Sequence, residues 1–247
     1  MILNIAAYQF VPVADPHVLA ANVRAEAEAG ALRGTVLLAP EGINLFLAGK
    51  EAAIGDFMAW LRGDARFGAI ACRESRSRVQ PFARLKVKVK PEIISFRRAG
   101  ASPLEARAPA VSAATLRRWI GRGMDDEGRR LVLLDTRNRE EVAHGTFTGA
   151  LALPIDNFAE LPEALAPHRD ALADATVVSF CTGGIRCEKA ARWLRGDGMR
   201  NLLQLDGGIL GYFEQVGGDG YDGRCFVFDG RVALDPDLAP LVDADEG

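Results

Sequence analysis

The stretch Val177-Val178-Ser179-Phe180-Cys181-Thr182-Gly183-Gly184-Ile185-Arg186-Cys187-Glu188-Lys189-Ala190 decides how the second half of this chain is read. Its opening residues form an apolar run of strand type. Cys181 ends the run, two glycines follow, and the stretch 187–194 reads as a helix. A cysteine at the turn between a strand and a helix is a physical device. Gly183 and Gly184 let the backbone curl so that successive N–H groups point inward. The helix start adds partial positive charge, and Arg186 adds a full one. All three favour thiolate over thiol, so Cys181 is expected to be an activated nucleophile. The same donors would cradle an anion or an enolate-like oxygen. A buried strand-end cysteine is the plain alternative; two glycines, an arginine and a helix start together weigh against it.

Loop length narrows the chemistry. The spacing here is Cys-x4-Arg, whereas cysteine phosphatases use Cys-x5-Arg to wrap a phosphate, so the shorter loop suits a smaller species such as a sulfane sulfur. Outward from the loop, strands are expected at 131–135, 150–153, 176–181 and 201–205. Helices are expected at 113–123, capped by Ser112, and at 138–144, 157–172, 187–197 and 209–216. Strands alternating with helices imply a doubly wound parallel sheet over 112–234.

The first 98 residues read differently. A strand at 2–10 precedes a helix at 16–29, with Val18, Leu19, Val23 and Ala27 on its inner face. A hairpin at 35–39 and 43–48 turns through Pro40-Glu41-Gly42. A helix at 50–62 turns Ile54, Phe57, Met58 and Leu61 inward, and a strand near 68–73 follows. This is β-α-β-β-α-β, the ferredoxin-like α+β order. One more strand is read at 84–96, with Leu85, Val87 and Val89 on one side and Lys86, Lys88 and Lys90 on the other. The fold class is therefore α/β overall: a ferredoxin-like domain at 1–98, a linker at 99–111, a doubly wound domain at 112–234 and an acidic, frayed tail at 235–247.

Charge supports the division. Residues 1–98 carry fourteen Lys/Arg against nine Asp/Glu, and the remainder carries sixteen against twenty-four. That points to an anionic partner for the first domain. Arg73, Arg76, Arg78, Arg84, Lys86, Lys88 and Lys90 are the candidate phosphate-binding residues; Phe82 and Phe96 flank them as candidates for stacking on bases, although such residues are more often core. Cys72, Cys181, Cys187 and Cys225 include no Cys-x-x-Cys pair, and His17, His144 and His168 are far apart, so no protein-held metal is expected. There is no apolar run of membrane-spanning length, and Met1-Ile2-Leu3-Asn4-Ile5 is not a signal peptide, so a cytoplasmic protein with no membrane partner is expected.

At this point the sequence resembles the rhodanese superfamily. Asp135-Thr136-Arg137-Asn138 with Glu141, Gly145 and Phe147 resembles its upstream signature, and Asp206-Gly207-Gly208-Ile209 resembles the turn before its last helix. The run 181–190 more narrowly resembles the loop of the rhodanese-domain tRNA uridine hydroxylases, which use molecular oxygen to make 5-hydroxyuridine at the wobble position. Glu41-Gly42-Ile43-Asn44, the basic strand Leu85–Lys90 and the segment Cys225–Val232 also resemble that family. The chain departs from it at Leu45-Phe46, where many members have Gly-Thr, and in lacking a Cys/His-rich C-terminal extension.

The resemblance implies Cys181 and Arg186 as catalytic residues, set in an active loop of Thr182, Gly183, Gly184, Ile185 and Cys187. Asp135, Arg137 and Glu141 are supporting residues; Arg137 is expected to pair with Asp135 or Glu141, with a hydrogen bond to substrate as the alternative. Cys187 is either a resolving thiol or a small residue packed under the loop; Cys72 and Cys225 read as core. The implied partner is tRNA at its anticodon region. Oxygen is the co-substrate, and no cofactor is evident. Two other readings stay open: a sulfurtransferase carrying a persulfide on Cys181, and a non-catalytic binding or sensor module.

Overall fold

The computed structural model describes residues 1–104 and 106–243; the last four residues of the expected tail lie outside it. The chain forms two compact units. One comprises Met1–Ser95 with Phe228–Val232 and the described residues from Ala239 on, and the other comprises Phe96–Val227 with Ala233–Leu238.

In the first unit, β1 (Ile2–Phe10), α1 (Pro16–Ala29), β2 (Arg33–Ala39), β3 (Gly42–Gly49), α2 (Glu51–Gly63), β4 (Cys72–Ser77) and β5 (Leu85–Val89) follow in order. The sheet order is β4-β1-β3-β2-β5, the ferredoxin-like arrangement extended by β5 running parallel to β2. Leu19, Val23 and Ala27 bury one face of α1, while Val18 is exposed, so the true stripe is the i, i+4 series alone. Ile54, Phe57, Met58 and Leu61 of α2 are all buried, as their spacing required. These side chains close on Leu3, Ile5, Val36, Leu38, Ile43, Leu45 and Leu47 of the sheet. Gly42 ends the hairpin turn because a Cβ there would stand 2.1 Å from the Gln9 carbonyl oxygen.

Several expectations for this unit are corrected. The fourth strand begins at Cys72, because Phe67 and Ile70 bond back to Asp64 and Phe67 in turns. The strand read as 84–96 stops at Val89. Beyond it Pro91 lacks a backbone donor, and Ile93 leaves the ladder to bond the Glu41 carboxylate and the Asn44 amide. Phe96 belongs to the second unit, where it is fully buried and stacks on Phe158 at 4.6 Å, so it is a core residue. The tail is anchored as far as Asp243, whose carboxylate accepts the Arg78 N–H at 2.6 Å. Residues 228–232 also return to this unit, and buried Arg231 pairs with Asp229 and donates to Ser75 Oγ at 2.6 Å.

The second unit runs β6 (Ala110–Val111), α3 (Ala113–Arg122), β7 (Leu131–Asp135), α4 (Arg139–Val142), β8 (Gly145–Phe147), β9 (Leu151–Ala152), α5 (Leu161–Leu165), β10 (Thr176–Phe180), α6 (Ile185–Gly196), β11 (Leu202–Leu205), α7 (Gly208–Val216), β12 (Tyr221–Gly223), β13 (Cys225–Phe226) and β14 (Ala233–Leu234). Its parallel sheet has the order β6-β11-β10-β7-β9. The expected linker therefore contributes its last two residues to the sheet. Ser112 caps α3 by accepting the Thr115 N–H, as expected. The long helix expected at 157–172 is instead short α5 flanked by single 3-10 turns. Pro167 explains the break: it has no N–H to donate and its ring crowds the carbonyl four residues back. Phe147 centres the core, edge-on to Phe180, Tyr212 and Tyr221 at 4.9, 4.9 and 5.1 Å. No helix among the described residues is long and apolar enough to cross a membrane.

Candidate active site

The sheet order fixes where a site belongs. From β7 the chain moves outward to β9, then crosses back to β10 on the other side, so β7 and β10 flank the switch point of the parallel sheet. Open α/β sheets bind ligands at the carboxyl ends of such strands. Asp135 ends β7 and Cys181 follows β10 directly.

The loop from Cys181 to Gly184 is held from two sides. Ile209 and Leu210, in the first turn of α7, donate their N–H groups to the Cys181 and Thr182 carbonyls at 2.9 and 3.0 Å. That approach requires Gly208. A Cβ there would meet the Cys181 carbonyl oxygen at 2.5 Å, and its φ of +63° is itself a glycine conformation. On the other side α6 begins at Ile185, two residues earlier than its sequence suggested. Arg186 and Cys187 thus lie in the first helical turn, where backbone N–H groups have no helical acceptor.

Those N–H groups converge on sulfur. Gly184 donates to Cys181 Sγ at 3.1 Å, and the backbone N–H groups of Arg186 and Cys187 and the Cys187 thiol donate to it as well. Burial alone would push the fully buried Cys181 thiol up. The Cys187 thiol, the Arg186 charge and the backbone donors outweigh it and hold Cys181 well below the ordinary 9.0. Cys187 moves the opposite way, raised by burial and by the thiolate beside it, so it keeps its proton and donates. Thr136 Oγ1 stands 3.6 Å from Cys187 Sγ and bonds the Phe180 carbonyl at 2.9 Å, tying the end of β7 to the base of the loop. Thr136 has no role legible from its residue type; its position between Asp135 and Arg137, at a strand end, is the signal the sequence offers.

Beneath the loop lie two buried ion pairs. Arg186 donates both terminal nitrogens to Glu141, each at 2.6 Å. Glu141 also accepts from Thr182 Oγ1 at 3.3 Å and from the Asn138 N–H at 3.1 Å. Burial raises the Glu141 carboxyl, but the Arg186 guanidinium overcomes that and holds it below 4.5. Arg186 therefore meets sulfur through its backbone N–H and its field, while its guanidinium fork is committed to Glu141. Arg137 pairs with Asp135 at 2.6 and 2.9 Å and with the Gly145 carbonyl at 2.7 Å, and Thr146 Oγ1 completes Asp135 at 2.7 Å. Burial pushes the Cys225 thiol up to about 12, so it is no nucleophile here.

The structure does not bring the seven basic candidates together. Arg73 and Arg76 lie on β4 and Arg78 just after it; Lys86 and Lys88 lie on β5, with Arg84 before and Lys90 after. These are the two outer strands, at opposite edges of the sheet. The seven candidates therefore fall on two edges, and the lysine face read at Lys86, Lys88 and Lys90 stays together on one of them. Arg76 pairs with Glu51 at 2.9 and 3.1 Å and Arg78 with Asp243 at 3.3 Å; both are exposed, as are Arg84, Lys86, Lys88 and Lys90. Among the described residues no group of three or more His, Cys, Asp or Glu side chains is placed to hold a metal ion.

Comparison with known proteins finds a different family model over each part of the chain. Residues 2–93 match the family model described as UPF0176 acylphosphatase like domain, and residues 112–215 match the rhodanese-like domain. A protein of Xanthomonas euvesicatoria pv. vesicatoria named tRNA uridine(34) hydroxylase is 70% identical over 99% of this chain and 99% of its own length. The chain belongs to the tRNA uridine(34) hydroxylase family. Proteins of the same name from Xanthomonas oryzae pv. oryzae and Xylella fastidiosa are 69% and 65% identical, over 99% and 98% of this chain and 97% and 95% of their own lengths. The resemblance drawn from the loop and the hairpin thus extends along the chain.

Proposed function

We propose that this protein hydroxylates uridine 34, the wobble base of the tRNA anticodon, to 5-hydroxyuridine with molecular oxygen, acting in the cytoplasm. The observation that carries the proposal is the Cys181 thiolate, ringed by backbone N–H groups and the Cys187 thiol, in a chain whose full-length relatives bear that enzyme's name.

Uridine C5 does not react readily with oxygen until electron density is placed on it. Cys181 Sγ adds to C6, forming a C–S bond and an enolate across C5 and the C4 oxygen. C5 then bonds one atom of dioxygen. Two electrons and two protons from a reductant of the thiol class cleave the O–O bond, leaving the C5 hydroxyl and releasing water. Loss of the C5 proton expels the Cys181 thiolate and restores the ring. When Cys181 is bonded to carbon, the N–H groups of Gly184, Arg186 and Cys187 are released from the thiolate and become donors for the oxyanion. Cys181 is closed off in the resting loop, so the base must leave its stack and displace the cover over Sγ to reach it.

The protein is incubated with unmodified tRNA, a thiol reductant and isotopically heavy dioxygen, and the nucleosides are analysed by mass spectrometry. Heavy 5-hydroxyuridine at position 34 is the expected product. Product without the label refutes oxygen as the source. A stable persulfide on Cys181 after thiosulfate treatment, with no hydroxylated nucleoside, favours the sulfurtransferase reading instead.

A further inference from the structure

The register of the first sheet sorts its residues onto two faces. Leu3, Ile5, Val36, Leu38, Ile43, Leu45 and Leu47 face the helices and are buried. Their neighbours in sequence face the other way. Cα pairing aligns Arg73, Ala6, Phe46, Thr35 and Lys86 in one row across all five strands, and Tyr8, Asn44, Leu37 and Lys88 in the next. Phe10 follows Tyr8 on the same face, their rings edge-to-face at 6.1 Å.

This face is unusual for a largely antiparallel sheet, whose outer side is normally polar. Its two central strands carry Tyr8, Phe10 and Phe46, all half-buried. Phe46 is set in a slot. On the same strand and face, Ala48 and Asn44 are buried on either side of it. Gln80 reaches over one to bond the Ala48 carbonyl at 3.1 Å, and the Ile93 carbonyl accepts from Asn44 at 3.2 Å. The neighbours of Phe46 within its row, Ala6 and Thr35, are small. The Phe46 ring is therefore flanked across the strands by short side chains only. The row runs from Phe46 to Lys86, two strands or roughly 10 Å away, and Lys88 stands beside Lys86 on the same face.

We propose that this sheet face is a stacking platform for unpaired bases of the tRNA anticodon loop, with Phe46 and Tyr8 as the rings and Lys86 and Lys88 on the phosphates. The proposal rests on tRNA being the substrate. Aromatic rings on central strands with cations at a sheet edge suit a single strand, whose splayed bases stack on rings while its phosphates meet lysines. A duplex hides its base faces and offers nothing to Phe46. Phe96, the other aromatic beside the basic strand, is core and cannot join the platform.

The test measures binding of the full-length protein to two RNAs, an anticodon stem-loop and a blunt duplex of the same stem. Phe46→Leu keeps apolar volume but removes the π-face, and Phe46→Tyr restores it. Phe46→Leu is expected to weaken stem-loop binding about fivefold to a hundredfold, Phe46→Tyr to stay within about twofold of wild type, and duplex binding to be unchanged in both. Tyr8→Leu is expected to act in the same direction, independently of Phe46. Wild-type affinity of Phe46→Leu for the stem-loop overturns the platform alone. Failure of the wild-type protein to bind either RNA overturns the substrate reading, and the platform with it.

Discussion

Two regions of the molecule hold their positive charge in opposite ways. Beneath the Cys181 loop, Arg137 and Arg186 are buried and each is forked onto a carboxylate. On β5, Lys86 and Lys88 stand in water on the aromatic face of a sheet. The difference teaches what each charge is for. A buried ion pair must be complete, because either partner left alone is an uncompensated charge in a poor solvent. An exposed lysine contributes little to folding and is available to a partner's phosphate.

Breaking the buried side should give the largest effect. Arg186→Leu leaves Glu141 without its counter-charge and is expected to cost about 3–5 kcal/mol of unfolding free energy, measured by chemical denaturation. Arg186→Leu with Glu141→Leu should recover much of that loss. Equal loss in both variants would mean that packing, not charge, holds the loop.

The exposed side should respond in the opposite currency. Lys86→Ala with Lys88→Ala is expected to leave stability within about 0.5 kcal/mol of wild type. The slope of log affinity for the stem-loop against log salt should flatten by about 1.4, two single-strand phosphate contacts at about 0.7 each. An unchanged slope would move the phosphate path off β5.

The smallest effect sharpens the contrast at the thiolate itself. Cys181 is held below its ordinary value, so its thiolate persists at neutral pH and is lost as pH falls through the lowered value. Cys187→Ala removes the thiol that donates to it, so ultraviolet absorbance of the thiolate should titrate at higher pH than in wild type, while Cys225→Ala should leave the titration in place. A curve unmoved by Cys187→Ala would assign the shift to the backbone donors and Arg186.

The local features of this molecule were readable in its sequence. The strand, glycine turn and helix around Cys181, the inner face of α2 and the ferredoxin-like order each follow from spacing within a few residues. What was not readable depends on partners far away in the chain. Local alternation put Lys86, Lys88 and Lys90 on one face. Only the pairing of β5 with β2 shows that they lie across the sheet from Arg73 and Arg76. Phe96 follows a basic strand in sequence yet is held by Phe158. The pairing of Arg186 with Glu141 joins residues forty-five positions apart, so the sequence showed the charge beside Cys181 but not its partner. Thr136 gained meaning only when the ends of β7 and β10 came together.

The central claim is that Cys181 performs the hydroxylation, and one measurement addresses it most directly. Cells lacking this gene are complemented with wild-type protein or with Cys181→Ser at matched soluble expression, and their tRNA nucleosides are analysed by mass spectrometry. Wild type should restore 5-hydroxyuridine at position 34, and Cys181→Ser should restore none. Restoration by Cys181→Ser would contradict the account.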